Sequence, residues 1–209
     1  MPYRGPIFFA GGYYHVYSRG SEKRTIFLDK ADKKRFTSKL KEYKTLHNVS
    51  VISYCLMPNH FHLLIKQNTD EPISKFINRL NLAYAMYFNK RYERVGPLFQ
   101  GRFKAINVDN DEYLLHLTRY IHLNPLEVLG GNRLEDYWWS SLRIYLGMTD
   151  DDIVDTDFVS SYFGENWNNK YREFLKGEEK KRLRDLIAKY LFEDTPSQVR
   201  VLNWGEKRA

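Results

Sequence analysis

Two histidines separated by one apolar residue, His60-Phe61-His62, follow a Met57-Pro58-Asn59 turn and open an apolar run. In a strand, side chains two apart point to the same face, so these imidazoles emerge side by side. Neutral imidazole is the commonest metal ligand, and two on one rigid strand define half of a coordination sphere. Alone, the pair reads more simply as a turn cap beside a satisfied sheet residue. A second stretch alters that balance. Arg119-Tyr120-Ile121-His122-Leu123-Asn124-Pro125 sets a phenol and an amide one helical turn apart. Together the two stretches point to a tyrosine nucleophile assisted by a metal ion.

The chemistry such a set could perform is attack on a phosphodiester. His60 and His62 hold a divalent cation, Asn124 offers a third ligand through its amide oxygen, and open positions receive the scissile phosphate. Tyr120 attacks phosphorus, and its phenolate can later leave, so the step is reversible. A phenol has a pKa near 10, so its proton must be drawn off by the cation or a nearby base. Tyr113, His116, Tyr120 and Asn124 fall along one helical stripe, with Leu114, Leu117 and Ile121 on the neighbouring one. Without the two histidines, that tyrosine stripe would be assigned to packing. A zinc hydrolase using water lacks an evident carboxylate base near the histidines.

These groups need a scaffold, and the hydrophobic periodicity outlines one. Residues 13–19 suit a strand; Asp29 or Asp32 caps a helix whose Phe36, Leu40, Tyr43 and Leu46 form a buried stripe. Residues 49–56 and 60–66 read as a hairpin. A second helix spans about 73–91, with Phe76, Leu80, Ala83 and Tyr87 facing inward, and Gly96-Pro97 breaks the pattern. Residues 103–108 form a fourth strand, and Asp109 or Asn110 caps a third helix that ends before Pro125. The order strand, helix, strand, strand, helix, strand is the α+β ferredoxin-like pattern, an antiparallel sheet with helices on one face. The third helix, which carries Tyr120, is added to it.

Beyond that helix lies a loop-rich segment in which Trp138 and Trp139 are read as packing residues. The acidic run Asp150-Asp151-Asp152, with Asp155 and Asp157, marks a boundary between a catalytic domain over 1–147 and a helical extension over 148–209. In that extension Leu183, Leu186, Ile187, Tyr190 and Leu191 make an apolar stripe. Lys180, Lys181, Arg182 and Arg184 form either a solvated face or an arm that contacts phosphates.

Composition narrows the setting. With 209 residues the chain can bury a core without disulfide staples, and its one cysteine, Cys55, fits a reducing cytoplasm and a buried apolar role. No apolar run approaches the roughly 18 residues of a membrane span, and Ile7-Phe8-Phe9-Ala10 is too short for a signal peptide. No membrane partner is expected. The net charge of +7 and the 16% aromatic content favour a polyanionic partner. Tyr84, Tyr87, Phe88, Tyr92, Phe99 and Phe103 alternate with Lys90, Arg91, Arg94, Arg102 and Lys104. Unpaired bases stack on rings while cations track the backbone. Arg91, Arg94, Arg102 and Lys104, around the Gly96-Pro97 break, are the candidate DNA-binding residues.

The stretch from Tyr54 through His60-Phe61-His62 to Leu64, together with the Arg119 to Pro125 motif, resembles the motifs of the single-tyrosine HUH transposases. The closer likeness is to the branch of REP-associated tyrosine transposases. Tyr14-His15-Val16-Tyr17-Ser18-Arg19-Gly20, Phe88-Asn89-Lys90-Arg91-Tyr92, Gly96-Pro97-Leu98-Phe99-Gln100-Gly101-Arg102-Phe103-Lys104 and Trp139-Ser140-Ser141 extend it across about 13–147. The resemblance implies cutting and rejoining of single-stranded DNA near small hairpins, with a 5′-phosphotyrosine and a free 3′-hydroxyl. It assigns Mg²⁺ or Mn²⁺ to His60 and His62 and nucleophilic attack to Tyr120. The position of Asn124 is a glutamine in many insertion-sequence enzymes. Where the family often has a basic residue after Asn-Pro, this chain has Leu126-Glu127, and Glu127 would repel a phosphate. Related enzymes exchange the tyrosine helix within a homodimer, whereas the extension could pin it within one chain. The competing expectation is a hairpin-binding module without chemistry, in which Tyr13, Tyr17 and Phe103 stack bases as in RNA-binding sheets.

Overall fold

A computed structural model describes residues 7–130 and 133–177. Four strands, β1 (Tyr13–Arg19), β2 (Val49–Met57), β3 (His60–Gln67) and β4 (Lys104–Val108), form one sheet in the order β2-β3-β1-β4. All neighbours are antiparallel, the ferredoxin-like arrangement. The helices α1 (Lys30–Leu46) and α2 (Ile73–Arg91) cover one face, and α3 (Asp111–Leu123) covers the other. Beyond it, α4 (Leu142–Tyr145), α5 (Asp157–Phe163) and α6 (Trp167–Lys176) follow. The basic and apolar positions from Lys180 to Leu191 lie outside the described residues.

Caps set the helix starts. Asp29 Oδ1 accepts from the Asp32 backbone N–H while Asp32 Oδ2 accepts from that of Asp29, a capping box that opens α1. Asn110 does the same work for α3, accepting from the Tyr113 N–H at 2.7 Å. Phe36, Leu40 and Tyr43 are buried as expected, but Leu46 is 57% exposed. At 100° per residue, position 47 rather than 46 returns to the inward stripe, and the His47 ring does meet Phe76. On α2 the stripe continues from Leu80 through Tyr84 and Phe88, not through Ala83 and Tyr87, which are half-buried. Tyr87 sits at the rim with its hydroxyl on Asp32.

A bulge at Ile52 explains why β2 alternation changes phase. Before it, Val49 and Val51 join the core under α1 and α2; after it, Tyr54 and Leu56 do, leaving Cys55 and Met57 on the α3 face. The outer edge of β2 is covered by the segment containing Ser140. Leu56 N–H donates to the Trp139 carbonyl, Ser141 N–H to Tyr54, and Cys55 bridges Ser140. An edge covered in this way is closed to pairing with another chain. Trp139 is half-buried in that role, but Trp138 is 63% exposed with the Arg143 guanidinium 4.0 Å over its ring. The acidic run lies against α1: Lys41 pairs with Asp151 and Asp152, and the Asp155 N–H reaches the Val51 carbonyl. Val159, Tyr171 and Leu175 share the core cluster of α1 and α2.

Candidate active site

On the α3 face of the sheet, β1 and β3 place side chains in cross-strand rows. His60 is opposite Arg19, His62 opposite Tyr17, and Leu64 opposite His15. Lys104 of β4 extends the Tyr17 row, its ammonium 5.8 Å over the Tyr17 ring. The strand period therefore delivers His60 and His62 to one face, as their spacing requires, and their ring centroids are 4.9 Å apart.

Tyr120 reaches these rings from above. Its ring lies 5.8 Å from that of His62 and 6.2 Å from that of His15, both edge-on. Tyr113, Leu114, Leu117 and Ile121 seat α3 on Ile52, Cys55, Met57 and Leu64, and this fixes the height of the phenol above the strands. His62 and His15 are fully buried, while Tyr120, His60 and Asn124 keep 6%, 8% and 6% exposure at the rim. His116 does not join this group. It lies 60° round the helix from Tyr113, and its ring meets Phe174 of α6.

Burial sets the charge state. It pushes the pKa of His60 down to about 4, with the Arg19 charge adding to the effect, and holds His62 well below the ordinary imidazole range. Burial likewise brings His15 to about 3. All three rings are thus neutral near pH 7, the state in which a ring nitrogen keeps its lone pair. His60 Nδ1 is 2.7 Å from Asn59 Oδ1, an acceptor, so that nitrogen carries the proton and Nε2 the lone pair. His62 Nε2 is buried and makes no hydrogen bond among the described residues. A pair of neutral imidazoles, one with such an orphaned nitrogen, fits a divalent cation. Among the described residues no group of three or more His, Cys, Asp or Glu could hold an ion, so further ligands would come from amide, water or phosphate.

Other predicted positions resolve differently. Asn124 caps α3 with its Nδ2 donating to the Tyr120 carbonyl at 2.8 Å, which commits one end of the amide to the helix. Arg91 is tied to Asp29 and Asp32 and to the Tyr87 hydroxyl, contacts that compete with any phosphate. Arg94 stacks on Phe88, whereas Arg102 and Lys104 are exposed. Tyr84, Phe88 and Phe99 are core residues, unavailable to bases. The structure adds His15 and Arg19, which share the strand face of Tyr17; their signals in the sequence were the alternate spacing in β1 and their place in the Tyr14 to Gly20 stretch of the resemblance. Arg19 is held by Gln100 Oε1 at 2.8 and 3.1 Å, and the Gln100 N–H returns to the Arg19 carbonyl. A Cβ at Gly20 would collide with the Arg24 carbonyl, so only glycine lets the chain turn here beside His60. Cys55 is buried and its thiol is pushed up by desolvation, which disfavours the thiolate.

Behind α3 runs a second polar network. Tyr54 N–H donates to Ser141 Oγ at 2.9 Å, and Ser141 Oγ lies 2.7 Å from His122 Nε2. His122 Nδ1 lies 2.7 Å from the Tyr171 hydroxyl, which donates to Thr118 Oγ1 at 3.0 Å. This joins β2, α3 and α6 through buried groups only.

The fold has counterparts among solved structures. The structure of a REP-associated tyrosine transposase bound to a REP hairpin matches with a TM-score of 0.60 at 15% identity, covering 74% of this chain and 98% of that one. At that identity the correspondence is one of fold. A candidate transposase from Deinococcus radiodurans overlaps more loosely, with a TM-score of 0.42 at 17% identity over 58% of this chain and 95% of that one. No curated protein matches the sequence. The family model described as "Transposase IS200 like" matches residues 9–124, more than half of the chain and the stretch that contains His15, His60, His62, Tyr120 and Asn124, so this chain belongs to the IS200-like transposase family.

Proposed function

We propose that this transposase cuts and rejoins single-stranded DNA beside small hairpins through a covalent bond from Tyr120 to a 5′-phosphate. The Tyr120 oxygen attacks phosphorus as the bond from phosphorus to the 3′-oxygen breaks. The proton given up by the phenol is balanced by the one the departing 3′-oxygen takes up, leaving a free 3′-hydroxyl. Rejoining is the reverse. His60 and His62, with the Asn124 amide oxygen, would hold Mg²⁺ or Mn²⁺; such an ion, when bound, polarises the phosphoryl group and eases loss of the phenolic proton. Around them Arg19 and Lys104 place positive charge in the cross-strand rows of the sheet, and Arg102 adds charge in the segment just before β4, where a DNA backbone would run.

The observation that carries this reading is the edge-on contact of the Tyr120 ring with His62, one of the two candidate metal ligands, and with His15 beside it. The motifs and the hairpin-bound neighbour together support hairpin DNA as partner and the REP-associated branch as origin. In this reading residues 1–147 carry the chemistry, and within the extension over 148–209 it is α6 that braces α3 from behind. The binding-module alternative has less ring surface to work with, since Tyr17 is 7% exposed under α3 and Tyr13 and Phe103 are half-buried.

The test is incubation of labelled single-stranded hairpin DNA with the protein and Mg²⁺ or Mn²⁺, followed by a denaturing gel. A covalent adduct that disappears in Tyr120→Phe is expected. Tight hairpin binding with no adduct would return the case to the binding module.

A further inference from the structure

His15 lies on β1, outside the His-x-His and tyrosine motifs, yet its Nε2 is 3.0 Å from His62 Nδ1 and its ring stacks on that of His62 at 5.2 Å. Both residues are fully buried. One nitrogen of this pair must donate and the other accept, and two arrangements satisfy the contact. If His15 donates, His62 carries its proton on Nε2 and has no lone pair there. If His62 donates from Nδ1, its Nε2 lone pair faces the site. Without an ion the two arrangements are balanced, since each strands one N–H and one lone pair: the other ring nitrogens of this pair, His15 Nδ1 and His62 Nε2, are both buried with no hydrogen bond among the described residues. An ion at His62 Nε2 breaks the tie.

We propose that His15 is the positioning residue for His62, accepting a hydrogen bond from its Nδ1–H so that Nε2 is presented to the metal. Asn59 stands in the same relation to His60, with Oδ1 2.7 Å from Nδ1. Each imidazole of the pair thus has its inner nitrogen occupied by a neighbouring acceptor, one from the turn and one from the adjacent strand. Outer-shell acceptors of this kind fix the tautomer and ring orientation and raise ligand basicity. The inference rests on the metal reading above and adds a residue to it.

The experiment measures Mn²⁺ uptake calorimetrically, and as metal-induced thermal stabilisation, for the full chain and for His15→Leu and His15→Gln. Leucine removes the acceptor; glutamine places an amide oxygen at about the reach of Nε2. The expected result is a Mn²⁺ dissociation constant raised about 10–100-fold in His15→Leu and largely restored in His15→Gln. Equal uptake by His15→Leu and the natural chain overturns this inference and leaves the metal reading standing. Equally weak uptake by both folded variants also overturns it, because packing rather than hydrogen-bond acceptance would then be what His15 supplies. A natural chain that takes up no Mn²⁺ overturns the metal reading and this inference together.

Discussion

Replacing Tyr171 by phenylalanine removes one hydroxyl from the back of α3 and asks what binds α6 to it. The Tyr171 O–H donates to Thr118 Oγ1, so its oxygen accepts from His122 Nδ1–H, while the Ser141 hydroxyl can donate to His122 Nε2. In the variant Thr118 still has its bond to the Leu115 carbonyl at 2.7 Å, but the His122 N–H is left without a partner. His122 is 0% exposed, so water cannot replace the lost oxygen. A buried polar group stranded in this way costs about 1–3 kcal/mol, or about 5- to 150-fold in the folding equilibrium. Urea denaturation followed by tryptophan fluorescence reads the change directly. Chemistry should be spared, because His122 is two residues and hence roughly 200° round the helix from Tyr120. Mn²⁺ uptake and adduct formation by the folded variant are therefore expected to match the natural chain. A stability loss below about 0.5 kcal/mol would refute the network; loss of cleavage in a fully folded variant would refute the separation of the two faces of α3.

Other outcomes follow from the same geometry. Because Tyr120 reaches the histidines of its own sheet, a mixture of Tyr120→Phe and His60→Ala proteins should form no adduct; recovery of activity would show helix exchange between chains. Arg102→Ala and Lys104→Ala should each lower the dependence of log affinity on log salt by about one. Arg91→Ala should instead lower stability with that slope unchanged, since its guanidinium is bound to Asp29 and Asp32. Acid should destabilise the fold through His122, whose pKa burial pushes down to about 3 against an ordinary value of 6.5. Below pH 6.5 the unfolded chain takes up a proton that the folded one does not. Stability is therefore intact above that pH and falls toward about 3, at up to about 1.4 kcal/mol per unit from this group. Denaturation of His122→Gln across this range should show a shallower acid slope, and parallel slopes would contradict the assignment.

Local pattern alone outlined the four strands, the first three helices and the residues that could do chemistry, because these are matters of near neighbours. Alternation over 13–19 and 60–66, the acidic caps and the Gly96-Pro97 break each act within a few residues, and their periods put His60 and His62 on one face and Tyr120 and Asn124 one turn apart. Long-range packing decided the rest. The bulge at Ile52 reversed the alternation of β2, and Tyr84 took the inward place expected of Tyr87, because both depend on what faces them across the core. Arg91 has the same charge as Lys104 in the sequence, yet a buried Asp32 holds the first while the second lies over the Tyr17 ring. Above all, strand order set His15 of β1 against His62 of β3 across 47 residues of chain, and no spacing within either strand records that contact.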